Sequence, residues 1–350
     1  MSVLHTIPEL VAAARERRSS DIHIVCGIPI RIRVDGKLHN LDTNVMTAQD
    51  CEAYAKEISN HYDEISTIGE QDLAIGFPDG TRCRVNLFRQ QGYVSAAIRI
   101  LNNHIPAFDE LGLPPQVAHF TDFNQGIVLV TGETGSGKST TLACLLDKIN
   151  HTQNKHIITL EDPIEYLHRH DQSIVTQREI GPDTVSYVKA LRSALRQSPD
   201  IILLGEMRDY ETIEVAMTAA ETGNLLFSTL HTIGAASTIE RIIDVFPANQ
   251  QRQIAVQLAS VLRAVVSQQL LPAVDGRMVP AFEILTVNPA VRTLIRENKL
   301  HQIDGLLYGA ARADMLSMDQ SILELYRAGT ITRETALTYS VNPEMLQRRL

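Results

Sequence analysis

Eight consecutive residues, Gly132-Glu133-Thr134-Gly135-Ser136-Gly137-Lys138-Ser139, fit the spacing G-x-x-x-x-G-K-[S/T] at every position. Such a stretch can bind phosphate. Its glycines let the backbone curl until several N–H groups face one point, and a helix starting there adds positive potential. An apolar run, Ile127–Val130, precedes it and a helical pattern follows, the context the motif needs. Lys138 is expected to reach the outer phosphates of a nucleoside triphosphate and Ser139 to ligate Mg²⁺, so ATP and Mg²⁺ are the expected ligands. The candidate binding set is Gly132, Thr134, Gly135, Ser136, Gly137, Lys138, Ser139 and Thr140.

Acids stand at the ends of two other apolar runs. Leu160-Glu161-Asp162-Pro163 follows one, and Pro163 stops the strand where it would emerge at the sheet's C-terminal edge. Ile201–Leu204 ends in Gly205-Glu206, an acid behind a glycine. A glutamate so placed can hold the Mg²⁺ shell or polarise attacking water. Leu225–Leu230 delivers His231, either a γ-phosphate sensor or a hydrogen-bonded structural residue. A helix expected over Val185–Gln197 puts Lys189, Arg192 and Arg196 on one face, where Arg192 or Arg196 meets phosphate charge or simply faces solvent.

These runs must be positioned by a scaffold. Short continuous apolar stretches alternating with helices suit a parallel sheet covered on both faces. Beyond His231 the pattern turns mainly helical, with a hairpin at Asp275-Gly276. The first hundred residues differ. A helix is expected over Leu4–Arg18, and Ile28–Val34 alternates with the two-residue period of a half-buried strand. Asp35-Gly36 turns it into Leu38–Leu41, and Thr47 with Asp50 forms a capping box for a helix over Ala48–Asn60. Arg82–Arg89 and Tyr93–Leu101 alternate again after the turn Asp79-Gly80. Pro106, Gly112, Pro114 and Pro115 mark a linker over Asn102–Pro115.

Composition narrows the classes. At 350 residues, 44% hydrophobic and 21% charged, the chain has material for two or three ordinary globular domains. No apolar run approaches the ~18 residues of a membrane helix, and no secretory signal is expected. The cysteines, Cys26, Cys51, Cys83 and Cys144, stand far apart, against a disulfide framework or zinc knuckle. A net charge of −9, with no Trp, disfavours a dedicated nucleic-acid binder.

The order of the motifs carries a resemblance. Glu161-Asp162-Pro163-Ile164-Glu165 resembles the Asp box of secretion-type ATPases, Leu204-Gly205-Glu206-Met207-Arg208-Asp209 their atypical Walker B motif, and Thr229-Leu230-His231-Thr232 their His box. Ala290-Val291-Arg292-Thr293-Leu294-Ile295-Arg296-Glu297 is similar to the AIRNLIRE motif of the retraction branch, with Val291 and Thr293 departing from it. The tetracysteine zinc site of pilus-extension enzymes is missing. Two other departures are Asn224, at a place where the His box often has its first His, and Glu133 inside the phosphate loop. The chain therefore resembles the type IV pilus retraction (PilT-type, twitching-motility) ATPases of the type II/IV secretion superfamily.

That resemblance implies an α/β fold with a RecA-like P-loop NTPase core over residues 115–350, its C-terminal part helical. A small PAS-like α+β domain over 1–101 and a linker over 102–114 would precede it. It implies an ATP-hydrolysing homohexamer in the cytoplasm, peripheral at the inner membrane and acting on pilus base proteins there, with no nucleic acid and no membrane span. Within it Glu161 is the expected base or water-positioner, Ser139 and Glu206 the Mg²⁺ residues. Arg84, Arg89 and Arg99 of the first module would complete the nucleotide site electrostatically. The rivals are a type II secretion or conjugation ATPase, a RecA-like nucleic-acid translocase, and a P-loop scaffold that does not hydrolyse.

Overall fold

The computed structural model describes residues 5–34, 36–101, 104–309 and 314–350. Leu4, Asp35, Asn102 and Asn103, on which parts of the first helix, the first turn and the linker were expected, lie outside the described residues. The chain divides into two compact units, one reaching His104 and including Glu165–Leu167, the other taking the remainder.

The first unit runs α1 (Ile7–Glu16), β1 (Asp21–Ile24), β2 (Pro29–Val34), β3 (Lys37–Val45), α2 (Ala48–Ile58), α3 (Tyr62–Ile68), β4 (Glu70–Gly76), β5 (Arg82–Gln90) and β6 (Tyr93–Ile100). Its strands form one antiparallel sheet in the order β3-β2-β1-β6-β5-β4. The period-two pattern decides which face is buried. Ile22 pairs with Ile32 and Ile98, and this row packs with Leu10, Val11, Tyr54 and Ala55 of α1 and α2. The adjacent row, Arg33, Asp21, Arg99 and Arg84, lies in register across β2, β1, β6 and β5 on the opposite face. The expected capping box is present: Thr47 Oγ1 accepts from Asp50 N–H at 3.2 Å, and Asp50 Oδ2 accepts from Thr47 N–H at 2.9 Å. Three elements went unanticipated. β1 is four residues long, α3 follows α2 almost directly, and β4 is a half-exposed edge strand.

The second unit opens with α4 (Pro115–Ala118) and continues through β7 (Gly126–Thr131), α5 (Lys138–Thr152), β8 (His156–Glu161), β9 (Ile174–Glu179), α6 (Tyr187–Ala194), β10 (Ile201–Leu204), α7 (Tyr210–Glu221), β11 (Leu225–Leu230), α8 (Ala235–Asp244) and α9 (Ala248–Val261). Two long strands follow, β12 (Leu262–Pro272) and β13 (Met278–Thr286), then α10 (Pro289–Arg296), α11 (His301–Gly309), α12 (Met318–Arg327), α13 (Arg333–Tyr339) and α14 (Pro343–Gln347). The sheet order is β13-β12-β7-β11-β10-β8-β9, parallel except for β13. In β7, Ile127 and Leu129 join a core built with α7, α8 and α9, whereas Val128 and Val130 join one built with Leu142, Leu145 and Ile149 of α5. Both faces are covered, so alternation disappears and the strand reads as a continuous apolar run.

Beyond His231 the chain is mainly helical around one hairpin, as expected; the length of that hairpin and its place in the sheet were not anticipated. The hairpin at Asp275-Gly276 is present, but its arms are 11 and 9 residues long, and β12 pairs in parallel with the P-loop strand β7. The β-branched pair Val265-Val266 belongs to this strand, although the apolar pattern running out of α9 into Leu262 blurs its start.

Candidate functional site

β7, β11, β10 and β8 are successive parallel neighbours, so their C-terminal ends deliver the phosphate loop, His231, Glu206 and Glu161 to one edge of the sheet. Backbone bonds tie this edge together. Gly132 N–H donates to Leu230 O (3.3 Å), Met207 N–H to Thr229 O (3.2 Å) and Gly205 N–H to Leu160 O (2.8 Å). The Thr229 hydroxyl adds a bond to Gly205 O at 2.6 Å.

The phosphate loop ends on Gly137, whose φ of +91° turns the chain into α5. Lys138 is buried, and its Nζ donates to Gly132 O and Glu133 O, each at 2.8 Å. An ammonium held over loop carbonyls, where α5 begins, stands in position to exchange those acceptors for phosphate oxygens. Thr134, Gly135 and Ser139 are exposed, Thr140 is half-exposed and Ser136 is buried.

Glu206 is largely buried. Its Oε1 pairs with the exposed Arg208 guanidinium at 2.6 Å, and its Oε2 lies 3.5 Å from His231 Nε2 with no hydrogen-bond partner among the described residues. Glu161 Oε1 accepts from the Thr159 hydroxyl (2.6 Å) and Gln177 Nε2 (3.2 Å). The two glutamates thus belong to different side-chain groups along the same edge.

Two other groups of expected contributors make contacts of their own. α6 ends at Ala194, so Arg196 lies beyond it and donates to Arg192 O at 3.0 Å. Arg192 pairs with Glu211 of α7 at 3.1 Å, both side chains solvent-exposed. Of the two readings, the solvated face is the one this geometry supports. In the first unit Arg99 Nε donates to Asp21 Oδ1 at 2.9 Å, Arg89 Nη2 donates to Gly92 O at 3.1 Å, and Arg84 is paired across strands with Arg99. Asp21 is held below the usual carboxylate range: burial works against this, but hydrogen bonds from Ser20 and Arg99 outweigh it. In α10, Val291 and Ile295 are buried, Arg292 is half-buried with its Nε shielded from solvent, and Arg296 is exposed. The helix ends beside a cavity of about 670 Å³ lined by Ile243, Ala255, Arg252, Arg296 and Lys299.

Two residues escaped sequence reading. The Tyr187 hydroxyl lies where a Cβ on Gly205 would come within 2.8 Å, which accounts for glycine before Glu206. Burial, with Asp162, Glu206 and Glu161 nearby, pushes its phenol pKa well up. Gln268 of β12 is buried against the phosphate loop, its Nε2 donating to Ser136 O at 2.6 Å and its Oε1 accepting from the Thr141 hydroxyl at 2.8 Å. Neither belongs to a local motif. Only the pairing of β12 with β7 brings Gln268 to the loop.

A glycine loop capping α5, with carboxylates and a histidine arriving on the neighbouring parallel strands, defines a P-loop nucleotide-binding protein. The chain belongs to the type II/IV secretion system protein family, whose model matches residues 1–336. It is 41% identical over 340 residues to the type IV pilus retraction ATPase PilT of Pseudomonas aeruginosa, covering 97% of this chain and 99% of that one. It is 44% identical over 320 residues to the twitching motility protein of Neisseria gonorrhoeae, covering 90% and 85%. A crystal structure of the pilus retraction motor PilT with bound ADP superposes with a TM-score of 0.93 at 45% identity, covering 98% of this chain and 99% of that one.

Proposed function

We propose that this chain hydrolyses ATP as the subunit of a homohexameric motor that withdraws type IV pili. One observation carries the reading: a complete phosphate loop stands in a chain that matches a pilus retraction ATPase from end to end, at 97% and 99% coverage.

In this reading the loop N–H groups and Lys138 hold the β- and γ-phosphates, while Ser139 and Glu206 hold the Mg²⁺ shell. Bound there, Mg²⁺ would neutralise charge developing on the phosphoryl oxygens. Strand order ranks the two acids. At ~4.8 Å per strand, β10 lies roughly 10 Å from β7 and β8 roughly 14 Å. Glu206 is therefore proposed nearest the transferred phosphate, with its Oε2 and the His231 ring 3.5 Å from it turned to the attacking water, and Glu161 at the outer side of the site. Arg84 and Arg99, on the open face of the first unit's sheet, are proposed to supply positive charge to a nucleotide held by a neighbouring subunit. No described helix is long and apolar enough to cross a membrane, which fits a motor working on pilus base proteins from the cytoplasmic face of the inner membrane.

The segment Ala290–Glu297 favours retraction over type II secretion or conjugation. The test of hydrolysis is phosphate release by the purified protein. Activity should require Mg²⁺ and collapse in Lys138→Ala, while parent-like turnover in that variant would remove the phosphate-loop assignment.

A further inference from the structure

Beyond the residues of the known motifs, we infer that Gln268 is a positioning residue that sets the conformation of the phosphate loop from the neighbouring strand. The inference rests on the nucleotide-binding reading above and adds a residue to it. Gln268 Nε2 draws the Ser136 carbonyl toward β12 with a 2.6 Å hydrogen bond. In a trans peptide the C=O of one residue and the N–H of the next point in opposite directions. Fixing the Ser136 carbonyl on β12 therefore turns the Gly137 N–H away from β12, toward the hollow side of the loop where phosphate oxygens sit. The Ser136 carbonyl can only accept, so the amide must turn its NH₂ toward it, which leaves Oε1 to accept from the Thr141 hydroxyl at 2.8 Å.

The same strand explains two signature glycines. A Cβ on Gly132 would come within 2.2 Å of Gln268 O, and one on Gly137 within 2.7 Å of Gln268 Nε2. Both glycines lie at positive φ, so they serve the turn and admit β12 at once. Next to Gln268, the Ser267 hydroxyl accepts from Gly234 N–H at 2.9 Å, at the N-cap of α8 and just past His231. Consecutive residues of one strand thus hold the phosphate loop and the turn after His231.

Gln268→Leu keeps the bulk and removes both polar atoms. In the full-length protein, ADP affinity should fall about 3- to 10-fold, the worth of one oriented hydrogen bond, with the KM for ATP rising in parallel. The thermal midpoint will fall as well, because Ser136 O and the Thr141 hydroxyl lose their partner. The double variant Gln268→Leu with Thr141→Val removes that orphaned hydroxyl and should recover midpoint without recovering ADP affinity. Should Gln268→Leu fail to fold, Gln268→Glu keeps the acceptor for Thr141 but cannot donate to Ser136 when ionised, and should likewise lose ADP affinity. Parent-like ADP affinity in a folded Gln268 variant overturns the inference and leaves the nucleotide site standing. A parent protein that binds no ADP, measured beside Lys138→Ala, removes the nucleotide reading itself.

Discussion

The two units offer different parts of their sheets to chemistry. In the first, helices cover one face of an antiparallel sheet, leaving the row Arg33, Asp21, Arg99 and Arg84 spread across the other. In the second, apolar cores cover both faces, so only the C-terminal ends of the strands remain for functional groups. The open face carries charge distributed along a row of strands. Function at the strand ends depends on backbone geometry. The glycines repeat the contrast. Gly92, in the β5–β6 hairpin, has nothing within 4 Å of a built Cβ, whereas Gly132, Gly137 and Gly205 are all crowded.

The largest expected effect falls on the strand ends. Glu206→Gln should retain nucleotide binding while losing ~10²–10⁴-fold in turnover, the usual contribution of a positioned acid–base group. Glu161→Gln should cost less, because β8 lies one strand further from β7. Single-turnover rates of the two variants settle their ranking, and an equal or greater loss in Glu161→Gln would reverse it.

A pair of glycine substitutions sharpens the contrast at intermediate size. Gly132→Ala drives a Cβ into the β12 backbone, and overpacking of that kind costs ~1–3 kcal/mol or more before the φ of +143° is counted. Gly92→Ala meets open space and carries only the left-handed backbone cost, about 1–2 kcal/mol. Denaturant unfolding with parallel ADP titrations should show Gly132→Ala losing stability and affinity together, and Gly92→Ala losing stability alone.

The smallest expected effect is electrostatic and lies on the open face. The pKa of Asp21 is depressed in the folded protein, so its stabilisation is present above the unfolded carboxylate value of ~3.9 and is lost as pH falls through the lower folded value. Asp21→Asn should therefore be less stable than the parent at pH 7, by on the order of 1 kcal/mol for a half-shielded charged hydrogen bond. The gap should narrow as pH drops below about 4. A gap constant from pH 7 to pH 3 would mean that packing, and not charge, explains it.

The same division governed what could be read from sequence. Alternation marked β2, β5 and β6 because one face of their sheet is wet, and continuous runs marked β7, β8, β10 and β11 because neither face of theirs is. β1 and β4 were missed: one is four residues long, and the other is an edge strand whose apolar residues, Leu73-Ala74-Ile75, are consecutive and show no alternation. The positions of the phosphate loop, Glu161, Glu206 and His231 were legible because each stands at, or within two residues past, the end of its own strand. Tyr187 and Gln268 were not, since long-range packing and pairing bring them in. The basic stripe with Arg192 and Arg196 left phosphate contact and a solvated face open, and the pairing of Arg192 with Glu211 on another helix is invisible to periodicity.

The central claim joins hydrolysis at the strand ends to withdrawal of pili, and Lys138→Ala in the source cells tests both halves at once. With the variant protein present at parent levels and folded, twitching should cease and surface pili should accumulate. Cells that still twitch, with an unchanged number of surface pili, would contradict the account.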